Sequence, residues 1–528
     1  MKKYLNYIAL PAIALGLVAC EPEFDNDITD EGVYTSGEAD FSNYVAVGNS
    51  LTAGYADQAL YITGQQNSYP NIMAQQFELA GGGEFTQPLV NDNTGGILLG
   101  GQQILPNRFV LAVDAEGNPG PARLSGTPTT DITNVLTGSF NNYGVPGAKS
   151  FHLLAPGYGN VAGVQTGQAN PYFVRFASSA NATVIGDAVA ANPTFFSLWI
   201  GNNDILGFAT SGGSGVDQTG NLDPTTYGGN DITDPNVFAS VYAQEVAALV
   251  STGAKGALVN IPDVTSIPYF TTVPSQAIPL DAQTAGTLNA VFGAYNTQIL
   301  PGLVQFGVIT ADEAALRQVT FQEGANFITI QDEDLTDIST IVQGAPFNLD
   351  PITAGLLSQL RQTTNEDLIP LPASGVLGTT DQEFFDFLVN VAGVSPEQAA
   401  LQSINGVSRP LQDANVLTTS EQTLIANAQA QYNATIRALA DANDLAFVDA
   451  QSELQAVAQG GVAFNGGVLT SAFVTGGAFS LDGVHPSPRG YAFTANAIID
   501  AINEKYNATV PNVNIGNYGT VTASNDVN

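Results

Sequence analysis

This chain of 528 residues carries one cysteine, two histidines and thirteen basic residues. With Cys20 alone, no internal disulfide can form, and cysteine usage says nothing further about redox compartment. His152 and His485, added to that cysteine, are too few to suggest a zinc site, and nothing in the chain calls for a metal or a cofactor. The thirteen Lys and Arg face 48 Asp and Glu, for a formal charge of −35. A field of that sign repels polyanions, which argues against nucleic acid as a partner and against a polyanionic substrate. We read the acidity as a solubility device, suited to a saline habitat. No apolar run is long enough to span a bilayer, and no solenoid-type repeat occurs. The absence of a Gly-x-Ser-x-Gly elbow argues against an α/β-hydrolase. Gly147-Ala-Lys149-Ser150 lacks the adjacent Gly-Lys of a P-loop.

What is present begins with an address. Lys2 and Lys3 precede a short apolar run over residues 6–19, which ends in Leu17-Val18-Ala19-Cys20. Residues 1–19 read as a signal peptide, and the sequence around Cys20 resembles a bacterial lipobox, in which the cysteine is acylated. The alternative is an ordinary signal peptide with a chance cysteine. Residues 20–40 are acidic and small and read as a flexible tether. Acidic residues just after a lipidated cysteine resemble a surface-export signal of some Gram-negative lineages. The expected location is therefore the outer membrane of such a cell, anchored through Cys20.

Five β-like runs follow: Tyr44–Gly48, Ser139–Tyr143, Thr194–Ile200, Gly256–Ile261 and Leu445–Asp449. Most are continuously apolar, as strands covered on both faces tend to be. Helical patterns lie over 234–252, 418–443 and 490–506. The first opens on Asp234-Pro235 and places Phe238, Val241, Tyr242, Leu249 and Val250 on one face. The second opens on Thr418-Thr-Ser-Glu421, a capping box, and places Ile425, Ala428, Tyr432, Ile436 and Leu439 together. Alternating strands and helices predict an α/β fold with a mainly parallel five-stranded sheet between helical layers. Two insertions interrupt it, 81–137 (with a hairpin around Glu116–Gly120) and 301–417, as lids over a site or as decoration. Residues 507–528 read as a polar, frayed tail.

The chemistry gathers at strand exits. Val47-Gly48-Asn49-Ser50 follows the first strand, at the rim where α/β sheets bind ligands. A serine hydroxyl needs a base, and with two histidines that base is His485 or His152. In Asp482-Gly-Val-His485 the spacing can bring the carboxylate onto the imidazole Nδ1 and turn Nε2 outward. Otherwise Asp482 is a helix cap and His485 a surface residue. The acidic loops Asn91-Asp-Asn and Asp223–Asp234 could hold calcium, though solvated turns are the commoner case.

Gly48-Asn-Ser-Leu-Thr and Asp482-x-x-His485 resemble the first and last conserved blocks of the SGNH/GDSL hydrolases. Asn142-Tyr-Gly-Val-Pro-Gly147 resembles the second block and Gly201-Asn-Asn203-Asp204 the third, in the family's order; Asn260-Ile-Pro262 also resembles a family stretch. The resemblance spans residues 43–505 and matches nothing in the insertions. It implies a flavodoxin-like three-layer α/β/α fold over 41–506 and a serine esterase or lipase. Ser50 would be the nucleophile, Asp482/His485 its base, and Ser50 N–H, Gly147 N–H and the Asn203 side chain the oxyanion donors. Asn49 stands where the family motif has aspartate, which bears on how the Ser50 turn is held. The substrate would be a small-molecule, lipid or acylated-sugar ester; no feature speaks to oligomeric state. Competing readings are a carbohydrate O-deacetylase on the same scaffold and a non-catalytic surface protein binding glycans or partners. The latter predicts loss of Ser50, His485 or Asn203, and none is lost.

Overall fold

The computed structural model describes residues 33–114 and 117–524. Cys20, the apolar run before it and Glu116 of the expected hairpin turn lie outside the described residues. Five strands form one all-parallel sheet: β1 (Tyr44–Gly48), β2 (Asn142–Gly144), β3 (Phe195–Trp199), β4 (Lys255–Val259) and β5 (Ala446–Val448). Their order across the sheet is β2-β1-β3-β4-β5. Every residue of β1 and β3 is buried, which explains their unbroken apolar character. Pairing at β2 is shorter than Ser139–Tyr143 suggests. Asn141 is diverted, its N–H to Thr86 O and its side chain to Tyr44 O, so regular pairing starts at Asn142.

The helices that frame the sheet are α1 (Ser50–Ala53), α2 (Tyr69–Glu78), α3 (Val184–Ala190), α4 (Asn203–Thr210), α5 (Pro235–Val250), α6 (Thr419–Ala442), α7 (Ala450–Gln459) and α8 (Pro488–Tyr506). The expected caps form. Asp234 accepts the N–H groups of Asn236 and Val237, and Glu421 returns to the Thr418 N–H at 2.6 Å. α5 and α6 pack on each other, while α8 packs on α2, β4 and β5. The face of α5 differs in one respect: Val241 and Val250 are only half-buried, and Glu245 is wholly buried.

The first insertion carries the hairpin, Phe109–Val113 against Pro119–Arg123, beside a three-stranded sheet. The second has its own apolar core, running from Val273 to Val416 and so beginning ahead of residue 301. The tail to residue 524 is not frayed. Asn503 and Asn496 of α8 each exchange a pair of hydrogen bonds with the backbone of Val510 and Val513, and Ile515 is buried. Its polar character is spent on backbone groups rather than on solvent. The described end of the tether is likewise docked, with Ala39 buried and the Glu38 N–H donating to Tyr506 O at 2.7 Å. Among the described residues, no helix is long and apolar enough to cross a membrane.

Candidate active site

Ser50 opens α1 immediately beyond β1, and β1 lies between β2 and β3, where the strand order reverses. Ligands of open α/β sheets bind at such a switch point, beyond the carboxyl ends of the strands. The turn is tight. A side chain at Gly48 would place its Cβ 2.2 Å from Thr52 Oγ1 and 2.3 Å from Trp199 O, so only glycine fits there. Asn49 caps α1, its Oδ1 accepting the Leu51 N–H at 3.0 Å. Its Nδ2 donates to Asn202 Oδ1 at 3.2 Å, a bond that an ionised aspartate has no proton to make. Asn49 thereby ties the Ser50 turn to the loop after β3.

His485 Nε2 lies 2.9 Å from Ser50 Oγ, and His485 Nδ1 lies 2.9 Å from Asp482 Oδ2. The three side chains form one unbroken chain of hydrogen bonds. Asp482 is buried and heavily supplied with donors. Oδ1 accepts the N–H groups of Val484 (2.9 Å) and His485 (2.8 Å) and the Ser480 hydroxyl (3.1 Å), while Oδ2 also accepts the Gln58 N–H at 2.8 Å. Burial pushes its carboxyl upward, but the His485 charge, the His485 hydrogen bond and these N–H groups outweigh it and hold the group at about 2. Asp482 is therefore ionised at any neutral pH.

The Gln58 contact was not legible beforehand. Ala56 and Ala59 pair across a two-residue turn in which Asp57 (φ 54°) and Gln58 (φ 59°) are both left-handed. Such turns usually declare themselves through Asn-Gly or Asp-Gly; Asp-Gln gives no such signal. The turn offers Gln58 N–H to Asp482 and the Asp57 carboxylate to the Leu481 N–H, so both sides of the Asp482 loop are gripped. Residues of the first insertion back it: Arg108 pairs with Asp57 at 3.9 Å, and Arg123 donates to the Gln58 side chain.

The expected donors lie at the exits of β1, β2 and β3. Gly147 is left-handed (φ 81°) and exposed, and neither its N–H nor that of Ser50 makes a hydrogen bond among the described residues. Asn203 Nδ2 donates one hydrogen to Ala148 O at 2.9 Å, which fixes its amide beside Gly147. The loop is braced by Asn170, whose Nδ2 holds Pro146 O at 2.8 Å, and by buried Asp204, which accepts both the Ser150 N–H and hydroxyl. No family model, curated protein or solved structure matches the chain. What can be said of the site rests on its own geometry.

The other histidine stands apart. His152 Nδ1 accepts the Lys149 N–H at 3.0 Å and its ring stacks on Tyr158, 4.6 Å between centroids. Burial, and then the Lys149 charge, push it down to about 4, so it is neutral at ordinary pH. The acidic loops are occupied by their own turns. Asp92 accepts the Thr94 and Thr129 N–H groups and Asp231 those of Val216 and Gly228. Glu333 and Asp413, which the sequence did not single out, draw their carboxylates together with that of Glu421, the capping-box acid, but none of the three lines the cavity at Ser50. That cavity, about 120 Å³, opens on Ser50, Asn203 and His485.

Proposed function

We propose that this chain is a serine ester hydrolase of the SGNH/GDSL type, its sheet and helices being that family's three-layer α/β/α sandwich. The observation that carries the reading is the Ser50–His485–Asp482 chain, with 2.9 Å at each link. Ser50 Oγ attacks the ester carbonyl carbon while its proton passes to His485 Nε2. The oxygen that becomes anionic is met by Ser50 N–H, Gly147 N–H and Asn203 Nδ2. Collapse breaks the bond to the alcohol oxygen, which takes the proton from His485 and leaves. Water then gives a proton to His485 as its oxygen attacks the acyl carbon. Release of the carboxylic acid returns the proton to Ser50. Ionised Asp482 keeps the imidazole proton on Nδ1 and stabilises the imidazolium.

A fluorophosphonate probe tests the nucleophile directly. It should add its phosphonyl group to Ser50 in the folded protein and to no residue of heat-unfolded protein; modification of a different serine would remove Ser50 from the reading. Asn203→Ala should leave KM nearly unchanged and lower kcat by roughly 10²–10³, since it removes one donor aimed at charge that exists only in the transition state. A comparable rise in KM with kcat intact would mean that Asn203 binds substrate rather than stabilising the oxyanion.

We extend the proposal to attachment at the outer membrane through acylated Cys20. Wild-type protein should enter the detergent phase of a membrane extract and Cys20→Ala the aqueous phase, because several acyl chains on one residue anchor far more firmly than a single chain. Equal partitioning of the two forms would discard the anchor.

A further inference from the structure

The cavity at Ser50 does not end at the reacting atoms. It runs inward between α7 and α8, beneath the ends of β4 and β5, past Val259, Val448, Leu454, Val457, Phe493 and Ala497. Away from the Ser50 mouth only two polar side chains reach it, Thr494 and Glu453. Small side chains, Ala450 and Ala497, keep the helices from filling the gap. Empty apolar volume forfeits contacts and weakens a fold, and such a space stays dry. A void of this kind that opens directly on a serine hydroxyl has the form of a binding site for an apolar chain. At roughly 30 Å³ per packed water-sized group, about 120 Å³ holds on the order of four groups of methylene size.

The far end has a different character. Glu453, Phe493 and Ala497 also border a shallow depression that includes Asp500, so the space leads from Ser50 toward an acidic surface rim. Burial, then Asp500 and Asp449, raise the Glu453 carboxyl. An apolar chain that reached this point would meet a carboxylate instead of more hydrocarbon.

We propose that this cavity is an acyl tunnel which takes a short, unbranched, saturated chain, on the order of four methylenes beyond the carbonyl, with Glu453 setting its limit. The alcohol part of the ester then lies on the open side, by exposed Gly147, where an added Cβ would come no nearer than 3.9 Å to its first neighbour, Asn170 Nδ2. The inference rests on the Ser50 hydrolase reading and gives that site its substrate class.

The test is a series of p-nitrophenyl esters, from acetate to palmitate, with the full chain. For wild type, kcat/KM should rise by about three- to fourfold per methylene, the worth of burying each one, peak near hexanoate and then fall. Ala497→Trp places an indole across the tunnel and should lower the hexanoate-to-acetate ratio, measured within the one protein, by about 30-fold or more, equivalent to two or three lost methylenes. Glu453→Leu should move the peak to longer esters. Thermal shift of Ser50→Ala protein by hexanoate provides a readout without turnover. Hexanoate should raise Tm, and the added Ala497→Trp change should erase the rise. A wild-type preference for acetate, as a deacetylase would show, overturns the tunnel while leaving Ser50 hydrolysis standing. So does an unchanged ratio in Ala497→Trp. Absence of all ester turnover and of probe labelling would instead defeat the hydrolase reading, and the hexanoate shift would then report on the cavity alone. No shift in either form overturns it.

Discussion

His485→Ala should lower kcat by roughly 10⁴–10⁶, and Ser50→Ala by a similar amount, with the double variant scarcely worse than either. The two groups act as a unit. Ser50 Oγ is a weak nucleophile unless its proton has somewhere to go, and Nε2 at 2.9 Å is the acceptor that the fold supplies. What survives in any of the three variants is the rate due to oxyanion donors and binding. Probe labelling separates this explanation from a merely structural role: His485→Ala should slow phosphonylation of Ser50 as it slows turnover while leaving Tm close to that of the wild type. His152 is the internal control. Held near 4, it carries no charge over the range in which activity would be measured. His152→Ala should keep most of the rate and of the labelling. The opposite pattern, activity lost with His152 and kept without His485, would refute the Asp482/His485 base.

Much of this site could be read before any coordinates because its parts are local. Ser50 is two residues past the end of a strand whose apolar run is unbroken. Asp482 and His485 meet across three residues of one loop, so their contact depends on no long-range placement. The donors at Gly147 and Asn203 also follow strand exits, which is why order along the chain translates into proximity in the fold. What escaped detection was non-local or conformationally unusual. The Asn49–Asn202 bond joins two loops 153 residues apart, and neither asparagine announces the other. The Asp57-Gln58 turn adopts a hand that its residues ordinarily avoid, held there by contacts to Ser480, Leu481 and Asp482 more than 400 residues away. Backbone strain of that kind is paid only where the surroundings over-determine it. Hydropathy also misled at Glu245, a buried carboxyl on a helix face read as purely apolar. In the tail, asparagine side chains made a docked segment look like a solvated one.

Asp482→Asn should reduce kcat by roughly 10⁴, a loss of the size that a triad aspartate shows when it becomes an amide, and it should also destabilise the protein. All the partners of this carboxylate are donors: Gln58 N–H and His485 Nδ1–H at Oδ2, Val484 N–H, His485 N–H and the Ser480 hydroxyl at Oδ1. An amide can satisfy only one side. With its NH₂ at the Oδ1 position, it opposes two backbone N–H groups of the loop that carries His485. With its NH₂ at the Oδ2 position, it opposes Gln58 N–H and can pair with the imidazole only if Nδ1 is bare. The ring proton then sits on Nε2, where the Ser50 proton has to go. Either orientation leaves buried donors unpaired, at a cost of about 1–3 kcal/mol. Acid should expose the same interactions from the other direction. The folded value of about 2 lies below the ordinary 3.8 of aspartate. Ionised Asp482 therefore contributes its stabilisation in full above the ordinary value, and loses it as pH falls through about 2. Wild-type Tm should drop more steeply than the variant's between pH 4 and 2, a window set by those two values, while above pH 4 the variant should melt lower by a constant margin. An Asp482→Asn protein with near-wild-type kcat would mean that the carboxylate only caps its loop, and that His485 needs no fixed tautomer to serve Ser50.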